Sequence, residues 1–169
     1  MGTGATVADA PRVNPWIVAC AVMASTFMVV LDSTVVNVSL PYIAGDLSAT
    51  IDEATWTLTA YLAANAVILP MTGWLGSLLG RKRLLLLSTA GFTISSLLCG
   101  LAPSMPVLVI LRIIQGLTGG TLQPISQAIL IEAFPPQDRG KAMSFWGLGV
   151  VVAPILGPVL GGWLTDNYS

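Results

Sequence analysis

Histidine is absent from the 169 residues, cysteine occurs only twice, and acids and bases together make up 9% of the chain. The missing histidine excludes a His-ligated metal site, and Cys20 and Cys99 do not have the spacing of a zinc pair. No metal and no other cofactor is expected. A soluble domain carries roughly a quarter charged residues, so 9% charged beside 54% hydrophobic excludes that class. The net charge of −1 leaves no basic stripe for phosphates, which argues against a nucleic-acid partner. There is no GxSxG, no HExxH and no phosphate-loop GxxxxGK, Gly76 to Lys82 lacking that spacing. An enzyme is therefore not expected, and ATP as a direct energy source is unsupported.

What is present is long apolar sequence, with a mean hydropathy of +0.83. About 20 apolar residues cross a bilayer, and five such runs can be read, at about 15–40, 54–79, 84–101, 106–134 and 142–165. The first is WIVACAVMASTFMVVLDSTVVNVSL, ended by Pro41 and the loop that follows. Asp52 and Glu53 suit the start of the second. Gly80-Arg81-Lys82-Arg83 reads as a tight basic turn before the third, and Pro106 as the opening of the fourth. The segment before Pro15 has Arg12 as its only base, and the apolar run after it exceeds the roughly 7–15 residues of a signal-peptide core. The first span is therefore expected to be retained.

Arg12, Arg81, Lys82, Arg83, Arg139 and Lys141 all fall on the N-terminal side of these spans. Lys and Arg of short loops stay cytoplasmic, so residues 1–14 are expected as a cytoplasmic tail and 15–169 as a partial transmembrane domain. An odd number of spans and an abrupt end suggest a piece of something longer. Cys20 would sit near the inner end of its helix and Cys99 near the outer end of another. That separation is too large for the roughly 4.4–6.8 Å of a disulfide, so both are expected as free core thiols.

One carboxylate and one strong base, Asp32 and Arg112, lie deep within the spans. At about 1.5 Å per residue, Asp32 is about 12 Å and Arg112 about 9 Å from the outer ends of their helices. The two can meet across a bundle, directly or through Gln115. Buried acid–base pairs are often only structural, yet intramembrane ionisable groups are functional by default. Desolvation favours a protonated carboxyl and a guanidinium favours an ionised one, so a movement altering either would load or release a proton.

At 100° per residue, Arg112, Gln115, Gly116, Gly119, Gly120, Gln123 and Gln127 share one side of the fourth helix, with Ile and Leu opposite. The glycines suit close helix packing. Three glutamines and an arginine exceed what packing requires and point to a lined pathway. The second helix aligns Tyr61, Asn65, Thr72 and Gly76 more weakly. On the first, Ser25, Met28, Asp32 and Ser39 share one side and Thr26, Ser33 and Asn37 another. The fifth places Gly147, Pro154, Gly157, Pro158 and Gly161 on one side, with Ala153, Gly157 and Gly161 as a small-residue ladder. No other helix shows an obviously matching face.

These residues resemble the N-terminal part of a major facilitator superfamily transporter, closest to the fourteen-span drug:proton antiporters of the EmrB/QacA type. LDSTVVNVSLP (Leu31 to Pro41) resembles that branch's first-helix motif, and LRIIQGLTGG (Leu111 to Gly120) its fourth-helix motif. The resemblance implies proton coupling by Asp32 and Arg112, with Gln115, Gln123 and Asn65 as cavity candidates. APILGPVLGG (Ala153 to Gly162) resembles the antiporter motif, implying that Pro154, Gly157, Pro158, Gly161 and Gly162 form a kinked surface that seals the substrate path. GWLGSLLGRKR (Gly73 to Arg83) corresponds to the cytoplasmic loop motif through Gly73, Gly80, Arg81, Lys82 and Arg83. It departs at Ser77 and Leu78, where most members have an acid and a base, so the usual charge relay cannot operate.

The implied fold is all-α and membrane-spanning: five of the six helices of a major facilitator N-terminal half. The implied activity is export of lipophilic drugs in exchange for protons across the inner membrane. In Gram-negative bacteria a periplasmic adaptor and an outer-membrane channel are the implied partners. A non-transporting membrane scaffold with a structural Asp–Arg pair is the alternative, and an importer of the same superfamily a weaker one.

Overall fold

The computed structural model describes residues 14–168; the tail expected over residues 1–14 lies, but for Asn14, outside them. Helix α1 spans Pro15–Asp46, α2 Ile51–Ile68, α3 Thr72–Leu79, α4 Arg81–Gly100, α5 Met105–Ala133 and α6 Arg139–Tyr168. A 3-10 turn, Leu69–Met71, joins α2 to α3, and together they make one of five segments long and apolar enough to cross a membrane. No strand occurs among the described residues, and the chain is an all-α helical bundle.

Local chemistry sets these bounds. Asn14 caps α1, its side chain accepting from the Trp16 amide, with Pro15 in the first turn. Thr50 and Glu53 form a reciprocal capping box at the start of α2. Pro70 has no amide hydrogen to donate, and the second span tightens to a 3-10 turn there instead of running straight.

Several expected boundaries move. Helix α1 does not end at Pro41 but continues through it to Asp46. Pro41 removes only one ladder bond, and Ala44, buried beyond it, holds the last turn in place. The tight basic turn reduces to Gly80, whose φ of 80° suits a residue without Cβ. Arg81, Lys82 and Arg83 are already the first turn of α4. Helix α5 opens at Met105 with Pro106 one residue in, and carries Pro124 without breaking.

Helix α5 is the hub, touching α1, α2 and α4 and, more lightly, α6. Within its most apolar window 44% of residues are buried, against 17–22% in the other spans. The buried face carries Arg112, Gln115, Gly116, Gly119 and Gly120, as the helical period predicts, while Ile110, Ile113, Ile114 and Leu117 are exposed. Tyr61 of α2 and Phe92 of α4 cluster with Leu122 and Val29. A Cβ on Gly116 would lie 2.5 Å from the Tyr61 carbonyl oxygen, and one on Gly120 2.6 Å from the Ile68 side chain. The missing side chains are thus what lets α2 approach α5.

Helix α6 packs on α1, so the small-residue ladder does have a partner. Gly149 meets Met23, Gly157 meets Thr34 and Gly161 meets Val35, with Ala153 fully buried between them. Sequence inspection overlooks this match because the α1 side is a mainly apolar surface whose two threonines, Thr26 and Thr34, do not stand out. Trp146 reinforces the contact, its indole N–H donating to Thr26 Oγ1 at 3.1 Å. Neither cysteine is bonded to the other, and Cys20 is exposed on α1, not in the core, whereas Cys99 is half-buried.

Candidate functional site

Asp32 and Arg112 meet. The Arg112 Nη1 donates to Asp32 Oδ2 at 2.7 Å, with side-chain exposures of 7% for the base and 15% for the acid. The same Nη1 donates to Gln115 Oε1 at 2.6 Å, which the spacing of three residues on one helix face allows. Ser96 of α4 donates to Asp32 Oδ1 at 3.2 Å, and the Cys99 thiol to Gln115 Oε1 at 3.6 Å. Arg112 Nε and Gln115 Nε2 are buried and find no hydrogen-bond partner among the described residues.

The pair thus lies where α1, α4 and α5 converge. Its polar neighbours from α4, Ser96 and Cys99, are residues that sequence inspection passed over; Ser88, Thr89, Thr93, Ser95 and Ser96 are spread along that helix, and nothing in the pattern singles out the one that meets Asp32. Higher along the same interface, Thr89 donates to Ser25 at 3.4 Å and Thr93 to the Met28 sulfur at 3.7 Å. The side of α1 bearing Ser25, Met28 and Asp32 therefore faces α4. Thr26 faces α6, Ser33 faces a cavity, and Asn37 is exposed.

That cavity, about 300 Å³, lies in the seam between α1, α2 and α5 and is lined by Ser33, Tyr61, Asn65, Gly119, Gly120 and Gln123 among others. Asn65 and Gln123 hence share an open space. Gln115 does not: it is 0% exposed and serves as the acceptor of Arg112. Its amide is turned into the pair because the guanidinium, one turn away, is the strongest donor within reach. The volume is at the lower end of the roughly 300–1,000 Å³ of small-molecule sites.

The remaining candidates lie apart. At the opposite end of the bundle Arg81 pairs with Glu132, a residue the sequence did not flag, and both are largely exposed. Such a surface pair contributes ~0–1 kcal/mol. Lys82, Arg83 and Gly73 are exposed. On α6, Gly157 and Gly161 are buried against α1, Gly162 is half-buried, and Pro154 and Pro158 are exposed on the adjoining flank. Prolines and ladder glycines therefore do not make one face.

Apolar helices of spanning length, tight glycine-mediated packing and a buried acid–base pair define a polytopic membrane protein with an ionisable centre. The family model of the Major Facilitator Superfamily matches residues 22–169, and the chain belongs to that superfamily. It is 51% identical over 143 residues to Multidrug export protein EmrB of Haemophilus influenzae, covering 85% of this chain and 28% of that protein. With the Escherichia coli protein of the same name the identity is 45% over 152 residues, 90% of this chain and 30% of that one. With Fatty acid resistance protein FarB of Neisseria gonorrhoeae it is 46% over 144 residues, 85% and 28%. The chain thus spans about three-tenths of the length of these relatives. The fold is shared with the crystal structure of a bacterial homologue of the human lysosomal transporter Spinster in an inward-facing, unoccupied conformation. The TM-score is 0.76 at 22% identity, over 92% of this chain and 33% of that one.

Proposed function

We propose that this chain is the N-terminal part of an exporter that moves lipophilic compounds out across the cytoplasmic membrane in exchange for protons. The observation that carries the reading is the Asp32–Arg112 pair, 2.7 Å apart inside helices of membrane-spanning length, with the base buried and the acid half-buried. The relatives named for multidrug export and fatty acid resistance support a lipophilic substrate. Asp32 holds or releases a proton as the distance to Arg112 and the access of water change. Asn65 and Gln123 line the substrate space, while Gln115 positions Arg112.

The bases of the short loops support a cytoplasmic N-terminus, with residues 15–169 as a partial transmembrane domain behind the tail. Gly73, Gly80 and Arg81 to Arg83 act at the cytoplasmic end, where Arg81 ties α4 to Glu132 of α5. Pro154, Gly157, Pro158, Gly161 and Gly162 keep α6 closely seated and bent. A periplasmic adaptor and an outer-membrane channel complete the export route.

The test is drug resistance conferred by the full-length protein carrying Asp32→Asn or Arg112→Ala. Both are expected to lose it. Export of an uncharged drug against its gradient at the normal rate by Asp32→Asn would remove the coupling role.

A further inference from the structure

A second cavity, of about 380 Å³, opens at the end of the bundle away from the basic loops, among α1, α4 and α5. Its polar lining is Asp32, Ser39, Asp46, Ser96, Cys99 and Arg112. Asp32, Ser39 and Asp46 recur every seven residues on one face of α1, so a carboxylate at the helix end and one in its middle bound the same space about 21 Å apart. A water occupies ~30 Å³ in the liquid, and the polar partners present suit a file of several.

The seam cavity shares no lining residue with this outer vestibule. A small space of about 80 Å³ lies between them, sharing Val36 and Arg112 with the vestibule and Ser33, Tyr61 and Leu62 with the seam. Asp32 lines the vestibule and neither of the others. Arg112 and Val36 therefore stand as the partition, with the acid on one side and Asn65 and Gln123 on the other.

We infer that protons reach Asp32 through the outer vestibule, with Asp46 as the carboxylate at its mouth, and not through the seam cavity of Asn65 and Gln123. This rests on the orientation and coupling role proposed above. The charged or titratable groups facing Asp32 are Arg112 from α5, Cys99 from α4 and Tyr61 from α2. Helix α6, on the other side of α1, carries Arg139 and Lys141 at its far end. The arrangement lets proton and cargo approach the pair without crossing paths.

The test uses the full-length protein in right-side-out vesicles, with dicyclohexylcarbodiimide labelling of Asp32 as the readout, since that reagent attacks the protonated carboxyl. Ser39→Cys is made with every other cysteine replaced by serine, and a membrane-impermeant trimethylammonium methanethiosulfonate is added outside. Unplugged, acidifying the outside should speed Asp32 labelling several-fold; with the reagent attached, that response should vanish. Asp46→Asn should slow the response several-fold without a plug, and reagent on Gln123→Cys should leave it intact. A Ser39→Cys that does not react from outside, a response that survives the plug, or one abolished at Gln123→Cys instead would overturn the inference. No exported compound is involved, so these failures are separate from failure of the export reading, which the resistance assay reports.

Discussion

Gly116→Ala is the sharpest perturbation of the α2–α5 contact. The added Cβ would stand 2.5 Å from the Tyr61 carbonyl oxygen and 2.8 Å from Ala64 Cβ. Ordinary contact begins near 3.4 Å, so α2 must retreat by about 0.9 Å. The obstructing atom is backbone, whose oxygen already accepts from Asn65 Nδ2 at 3.3 Å, and cannot rotate aside. Overpacking of this kind costs ~1–3 kcal/mol, and a rigid neighbour sets the value near the top. Replacing a helical glycine by alanine returns about 1 kcal/mol, leaving a net loss of about 2 kcal/mol. Gly140→Ala, also helical but with nothing within 4 Å, is the control and should show only the helical gain, up to about 1 kcal/mol. Unfolding of the full-length protein in mixed micelles, followed by tryptophan fluorescence, measures both. Equal midpoints for the two variants would refute the claim that Gly116 is there to admit α2.

Three further expectations use the same assay or transport. Gly157→Ala drives a methyl into Thr34, whose Cβ as well as hydroxyl stands in the way, and should destabilise the bundle, whereas adding Thr34→Gly, which removes both, should recover part of the loss; a double variant no better than the single one argues against the α1–α6 dovetail. Arg112→Gln alone strands a buried carboxylate, a cost of roughly 3–5 kcal/mol, while Arg112→Gln with Asp32→Asn should regain stability but not drug resistance. Resistance restored by the double variant would show that the pair is structural. Vesicles containing only these 169 residues should neither take up nor expel drug, since the chain spans only about three-tenths of the length of its relatives.

What the sequence made legible was the polar minority. Asp32 and Arg112 are conspicuous because charge within an apolar run is rare, and the α5 stripe because glycine and glutamine break the run at helical spacing. Lipid and protein interior are equally apolar, so the direction of an all-apolar face is not written in its residues. This is why Cys20 reads as core yet faces outward, and why the α1 surface under the α6 ladder goes unnoticed. Proline is ambiguous for a related reason. Pro41 and Pro124 sit inside continuous helices and Pro70 tightens one, and which occurs depends on what packs beside the freed carbonyl. Gln115 was legible as polar but not as the acceptor of Arg112, because its partner is settled by rotamers and not by register.

Pro154 and Pro158 cannot donate to the carbonyls four positions back, those of Val150 and Pro154. Hydrocarbon offers such oxygens nothing in return, and a bare acceptor in lipid costs several kcal/mol. The exposed flank of α6 is accordingly a poor boundary with acyl chains. Polypeptide or a wetted crevice on that side would satisfy those carbonyls, so the two imino acids favour such surroundings over acyl chains for that flank of the helix.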